Sequence, residues 1–189
     1  MSETTDRRIR KTKVSIRRAL ANLMSQKELG KITVKEIVDM ADINRATFYT
    51  HYHDVFELYE SIEDEAINDV KEILSASYDD EDYSELYKAV ALYTYEHRDV
   101  KEICMGKNSP ASYILRLNEL LVSNFMDYLQ STSIQADISE EVKYKMQYHI
   151  QGILGMFRHW AISDYSLSPE EMAKIISKID DIFFDKIAI

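Results

Sequence analysis

Only 4 glycines and 2 prolines interrupt the 189 residues of this chain. Both residue types break helices, so long stretches are left free to be helical from end to end. A β-rich fold of this length needs more turn residues than the sequence supplies. Hydrophobic residues make up 46%, which excludes a disordered chain and supports a substantial core. The expectation is an all-α fold.

The most informative stretch is Ile32 to Tyr52, ITVKEIVDMADINRATFYTHY. Val34, Ile37, Val38 and Ala41 recur at helical spacing. Thr33 followed by Glu36 is a capping box at the start of that helix. Asp42 and Ile43 break the period. Asn44 can then cap a second helix, Arg45 to Tyr52, with Phe48 and Tyr52 on its inner side. Its other side carries Arg45, Ala46, Thr47, Tyr49, Thr50 and His51. A helix that enters a DNA major groove needs such a face, short enough to approach and polar enough to bond. By spacing alone, an ordinary helical hairpin inside a bundle fits equally well.

The net charge of −10 argues at first against a nucleic-acid partner. Its distribution reverses that reading. Residues 1–53 carry 11 Lys and Arg against 6 Asp and Glu, while 54–189 carry 12 against 27. A basic head on an acidic body suits a protein that presents one end to DNA.

The run Thr47-Phe48-Tyr49-Thr50-His51-Tyr52, followed by Asp54-Val55-Phe56-Glu57-Leu58, resembles the DNA-binding domain of the TetR family of bacterial repressors. There the pattern is a Thr or Ser, an apolar residue, Tyr, a variable residue, His and an aromatic. The resemblance covers about residues 8–60. It implies a three-helix, helix-turn-helix DNA-binding domain at 1–53. It also implies a helical bundle at 54–189 for ligand binding and dimerisation.

Carried over by position, the resemblance makes Thr33 a cap that touches phosphate and gives Lys35 reach to base edges or phosphate. Arg45 is the candidate for bidentate guanine contact. Ala46 and Thr47 lie nearest the groove floor. Tyr49 and His51 are phosphate ligands, with Thr50 facing bases or backbone between them. The sequence departs from the family at Val55, where many relatives place a phosphate-binding Lys.

Met1 to Thr5 reads as a disordered leader. Arg7, Arg8, Arg10, Lys11 and Lys13, then Arg17 and Arg18, form either a phosphate-neutralising arm or a solvated basic tail. The first helix, about Asp6 to Gln26, buries Ile16, Leu20, Leu23 and Met24. Gly30 suits a left-handed helix end. Asp54 and Glu57 form a second capping box before a helix from Val55 to about Ser77, with Phe56, Tyr59, Ile62, Ala66, Ile67, Val70 and Leu74 on its apolar side. Tyr78 to Asp82 reads as an acidic joint.

Further helices are expected over Tyr83 to Arg98, Asp99 to Gly106, Ala111 to Gln130 (with Ser109 as cap and Pro110 first), Glu140 to Ser163, and from Pro169 on, after the Ser168 cap. Gly152 and Gly155 lie inside one of them, at about 1 kcal/mol each against Ala. Such glycines are tolerated where another backbone approaches closely. The last two helices resemble the pair through which TetR-like chains form a homodimer, although they could instead complete the monomer core. A twofold dimer would read a palindrome in double-stranded DNA.

TetR-like proteins usually take a small-molecule effector in the carboxyl-terminal domain. Tyr87, Tyr93, Cys104, Met105, Tyr113 and Met156 are candidate linings, and plain core packing suits each one as well. An enzyme built on Cys104 with His97 or His149 has no support from spacing, and a buried structural cysteine is the better reading. His51 and His53 point to different sides of a helix, so no metal pair is expected. No cofactor is implied. The single cysteine, with no secretory signal and no apolar run long enough for a membrane span, suggests a cytoplasmic setting. The alternative function is a TetR-like protein-interaction co-activator without a small-molecule ligand.

Overall fold

The first helix already begins at Glu3, inside the stretch expected as a disordered leader, although residues 3–8 hold no apolar side chain. The computed structural model describes residues 3–76, 83–131 and 139–187, with side chains described over 7–76, 83–127 and 139–180. Tyr78 to Asp82 lies outside the described residues. The described elements are α1 (Glu3–Met24), a 3-10 turn at Leu29–Lys31, α2 (Val34–Ala41), α3 (Arg45–Tyr49), α4 (Val55–Ala76), α5 (Ser84–Glu96), α6 (Arg98–Val100), α7 (Ser112–Ser131), α8 (Glu140–Ile162) and α9 (Pro169–Ile187). A wider π-type turn, Lys101–Met105, continues α6. No strand occurs among the described residues, and the all-α expectation holds.

The chain divides into two compact units. The first comprises residues 1–66 with 97–110, and the second comprises 67–96 with 111–189. In the first unit, Ile16, Leu20, Met24, Ile37, Phe48, Leu58 and Ile62 are sealed from solvent. α1 packs on α2, and also on α6 and the turn that follows it. Two side chains tie that later segment to α1. Arg17 Nε donates to Asp99 Oδ2 at 2.8 Å, and Asn108 Nδ2 donates to the Met24 carbonyl at 2.8 Å.

The second unit is built on α5 against α9 and α7 against α8. Its core includes Tyr113, Leu117, Met146, Ile150, Leu154, Phe157, Trp160, Met172 and Ile176. Past the end of α8 come Asp164 and Tyr165, both left-handed at φ 57°. Tyr165 offsets that strain by burying its ring against Trp160, with centroids 4.8 Å apart. Its hydroxyl donates to the Thr94 carbonyl at 2.7 Å.

Several sequence expectations are corrected. Of the side expected for α4, Tyr59, Ile62, Ala66, Val70 and Leu74 are buried, joined by Val55 and Leu58, but Phe56 is 54% exposed. Gly30 is not left-handed and closes no α-helix; the left-handed end in this region is that of α2, closed by Asp42 at φ 52° with its N–H bonded to the Val38 carbonyl. Ser109 does not cap a helix, because its hydroxyl donates to the Glu102 carbonyl at 3.2 Å and α7 starts only at Ser112. The expected caps at Thr33, Asn44 and Ser168 are present, and Ser139 caps α8 as well.

Candidate nucleic-acid interface

α2 and α3 are short, so their ends matter more than their middles. At the start of α2 the Thr33 hydroxyl accepts from the Glu36 N–H at 3.3 Å. The Glu36 carboxylate accepts from the Thr33 N–H at 3.0 Å. Lys27 Nζ, from the turn after α1, donates to the same carboxylate at 2.5 Å. These bonds, the Lys27 ammonium first and the Thr33 N–H and hydroxyl after it, hold the Glu36 pKa down at about 2. The start of α2 is thereby fixed both to itself and to α1.

α3 begins where Asn44 Oδ1 accepts from the Ala46 N–H at 2.8 Å. Five residues cannot hold a helix in water on their own. Packing supplies what is missing. Phe48 is fully buried, Tyr52 is 8% exposed, and their rings meet with centroids 5.7 Å apart. Burial also pushes the Tyr52 pKa up, with the Ser61 hydroxyl opposing it through a hydrogen bond. α3 itself stops at Tyr49, short of the expected Tyr52, although the Tyr52 N–H still bonds the Phe48 carbonyl at 3.0 Å.

From this buried base the other side of α3 faces outward. Arg45, Ala46, Tyr49 and Thr50 are exposed, while Thr47 and His51 are half-buried. Thr33 and Lys35, on the first turn of α2, are exposed as well. Two contacts join members of the set. Arg45 donates to the Tyr49 hydroxyl oxygen from Nη2 at 2.9 Å and from Nε at 3.3 Å, with its guanidinium carbon 5.4 Å from the ring centroid. The Thr50 hydroxyl donates to the Thr47 carbonyl at 2.7 Å, which leaves its oxygen as an acceptor. Sequence reading missed the first contact, yet its signal was present in the i, i+4 spacing of Arg45 and Tyr49.

The basic arm loses one member. Arg17 donates to Asp99 and, from Nη1, to Glu65 at 2.7 Å, and its side chain is 15% exposed. Burial acts to lower its pKa, but the two carboxylates outweigh that and raise it above the usual value. Arg17 is thus a brace inside the first unit. Arg7, Arg8, Arg10, Lys11, Lys13 and Arg18 are exposed along α1. Val55 is 5% exposed, which explains what that position does here in place of a phosphate-binding lysine: it fills core.

The six candidate effector-lining residues fall in both units, Cys104 and Met105 in the first and Tyr87, Tyr93, Tyr113 and Met156 in the second. All but Met156 are buried. The Tyr87 hydroxyl donates to Asp180 Oδ2 at 2.5 Å, and that of Tyr93 to Asp69 Oδ2 at 2.9 Å. An open groove of about 450 Å³ lies between α5 and α9, lined by Glu85, Lys88, Glu170, Lys174 and Lys178 among others; none of the six borders it. Among the described residues no three His, Cys, Asp or Glu converge as metal ligands, and no helix is long and apolar enough to cross a membrane.

Comparison with known proteins adds to this geometry. A family profile described as a transcriptional regulator C-terminal region matches residues 81–180. Among curated proteins, none matches significantly. Solved structures do. A TetR transcriptional regulator from Streptococcus agalactiae 2603V is 20% identical, with 93% of this chain and 97% of that one covered and a TM-score of 0.62. A transcriptional regulator from Aquifex aeolicus VF5 is 16% identical over 92% and 99%, with a TM-score of 0.65. The dihydroxyacetone kinase operon activator DhaS is 22% identical over 93% and 96%, at 0.57. At these identities the structures speak for the fold.

Proposed function

The chain belongs to the TetR family of transcriptional regulators, and on that premise we propose that it is a sequence-specific repressor. It binds a palindromic operator as a homodimer and is released by a small-molecule effector. The observation that carries this reading is the outward face of α3, with Arg45, Ala46, Tyr49 and Thr50 exposed above a buried Phe48. Residues 1–53 supply the DNA-binding function and 54–189 the regulatory and dimerising one.

In this reading Arg45 takes a guanine edge, Ala46 and Thr47 meet a thymine methyl, and Tyr49 and His51 bond phosphates. Thr50, its proton held by Thr47, accepts from a base amine. Thr33 and Lys35 reach the backbone from α2. The reaction class is binding, not catalysis; Cys104 is 1% exposed, which suits packing.

The homodimer reading is supported by one side of α8. Tyr144 and Tyr148 are 75% and 81% exposed, and Gly152, Gly155 and Ile162 continue the same stripe. A Cβ placed on either glycine would meet nothing within 4 Å in this chain. On α9, Ile175 and Ile179 are exposed too. Two copies that cover these residues let backbones approach at the glycines, which explains why helix-weakening residues stand there. The setting is the cytoplasm, where the DNA is.

Selection from random duplexes followed by mobility shift tests the proposal. The expected result is a twofold-symmetric site, bound by a dimer, with affinity that falls steeply with salt. Arg45→Ala should cost about 1–3 kcal/mol and relax one position of the site. A chain that enriches no sequence at low ionic strength would overturn the reading, and a Tyr148→Arg variant that remains dimeric in sedimentation would overturn the α8 interface.

A second reading, a co-activator that works through protein contacts with no small ligand, has its own support. The hydroxyls of Tyr87 and Tyr93, which a ligand would use, are already bonded to Asp180 and Asp69. A thermal-shift screen separates the two, because a ligand of the folded state raises the melting temperature.

A further inference from the structure

We infer that Tyr49 is a specificity-determining residue, because it positions the Arg45 guanidinium that reads the base. This inference rests on the proposal that α3 reads DNA. A phosphate ligand taken alone weakens all sequences alike when removed; Tyr49 is more than that.

The guanidinium carries five N–H donors in a planar fork. Two of them, on Nε and Nη2, converge on the Tyr49 oxygen at 3.3 and 2.9 Å. That occupies the Nε edge of the fork. The edge formed by Nη1 and the second Nη2 proton is left, and it is the edge that meets guanine O6 and N7 end-on. The phenol oxygen has accepted both protons, so its own O–H remains as donor, and a phosphate oxygen is the natural acceptor. One hydroxyl thus bonds the backbone on one side and aims the base-reading fork on the other.

The tyrosine can do this because it is itself held. Its ring stands edge-on to Phe48, with centroids 5.7 Å apart and planes at 87°, and Phe48 is fully buried. The result is a rigid series from core to Phe48 to Tyr49 to Arg45. An arginine without such support must freeze several rotors on binding, which erodes both affinity and discrimination.

The test uses the full-length protein and two duplexes: the selected site, and the same site with the Arg45-dependent guanine replaced. The wild-type ratio of dissociation constants defines the preference. Tyr49→Phe keeps the ring on Phe48, and thermal melting checks that it folds. It should weaken binding and also shrink the ratio, by about three- to tenfold. His51→Ala should weaken both duplexes and leave the ratio in place. In an Arg45→Ala background, Tyr49→Phe should weaken both duplexes by one common factor. A Tyr49→Phe protein that binds more weakly with its ratio intact overturns the inference while leaving DNA recognition standing. A wild type with no preferred sequence overturns the underlying proposal as well.

Discussion

Arg45, Tyr49 and Thr50 in the first unit stand outside, on a base of buried Phe48 and Tyr52. In the second unit Asp180, Thr94, Tyr87 and Tyr165 are turned inside. Asp180 accepts from Tyr87, and His149 Nε2 abuts its other oxygen, so one carboxylate on α9 meets α5 and α8. Both units take up left-handed backbone near a helix end without glycine. Asp42 does so at the surface of the first, and Tyr165 does so with its ring buried in the second. Among the described residues the first unit buries mostly apolar side chains, with Glu63 buried among them and Arg17 part-buried between Asp99 and Glu65, while the polar side chains of α3 stay exposed. The second spends polar groups on its own interior. A buried polar network tolerates few arrangements of the helices around it.

Two truncations should break this comparison most visibly. Phe48→Ala empties a fully buried site and should cost about 3–5 kcal/mol in the unit that carries α3. DNA binding should be lost with it. Asp180→Ala removes the carboxylate that accepts from the buried Tyr87 hydroxyl and should cost about 1–3 kcal/mol, but in the second unit. Calorimetry and mobility shift together check the difference. The Asp180 variant should melt lower yet keep the site preference of the wild type at a temperature where it is folded. If both variants lose preference alike, the division of labour between the units is wrong.

A smaller effect sharpens the first unit's borders. Arg17→Gln should lower its stability by about 1 kcal/mol, since Glu65 is 58% exposed and its share is screened. The sharper readout is hydrogen exchange. Amides of residues 98–105 should lose protection more than those of α2, because Arg17 and Asn108 are what tie that segment to α1.

These contrasts also explain what the sequence made legible. Helix ends are local, so Thr33, Asn44 and Ser168 could be found from neighbours three residues away or fewer. The exposed face of α3 was legible for the same reason, and α3's family signature sits in one short run. Pairings far apart in the chain were not. Nothing near Arg17 announces Asp99, 82 positions on, and so the arginine read as part of a basic arm. Asp180 left a trace that was passed over: it follows Met172 and Ile176 at four-residue steps on the buried side of α9, while the apolar Ile175 and Ile179 face out. Which apolar side of a two-sided helix goes inward depends on the partner helix, and periodicity alone does not name the partner.

The smallest effect concerns pH and tests whether α2 is held by its cap or by packing alone. Glu36 has its pKa lowered from 4.5 to about 2 by Lys27 and by the Thr33 N–H and hydroxyl. Its folded-state pKa lies below the unfolded value, so the carboxylate's contribution is fully present above about pH 4.5. It is lost as the pH falls toward 2. Glu36→Gln keeps the shape and drops the charge. The variant should melt below the wild type at neutral pH, and the gap should close between pH 4.5 and 2 as the wild-type carboxylate is protonated. A Glu36→Asp variant, too short to reach both Lys27 and the Thr33 N–H, should show a gap of the same sign. A gap that stays constant across that range would mean that the Lys27 and Thr33 bonds add nothing beyond shape, and that α2 is held in place by Ile37 and Val38 alone.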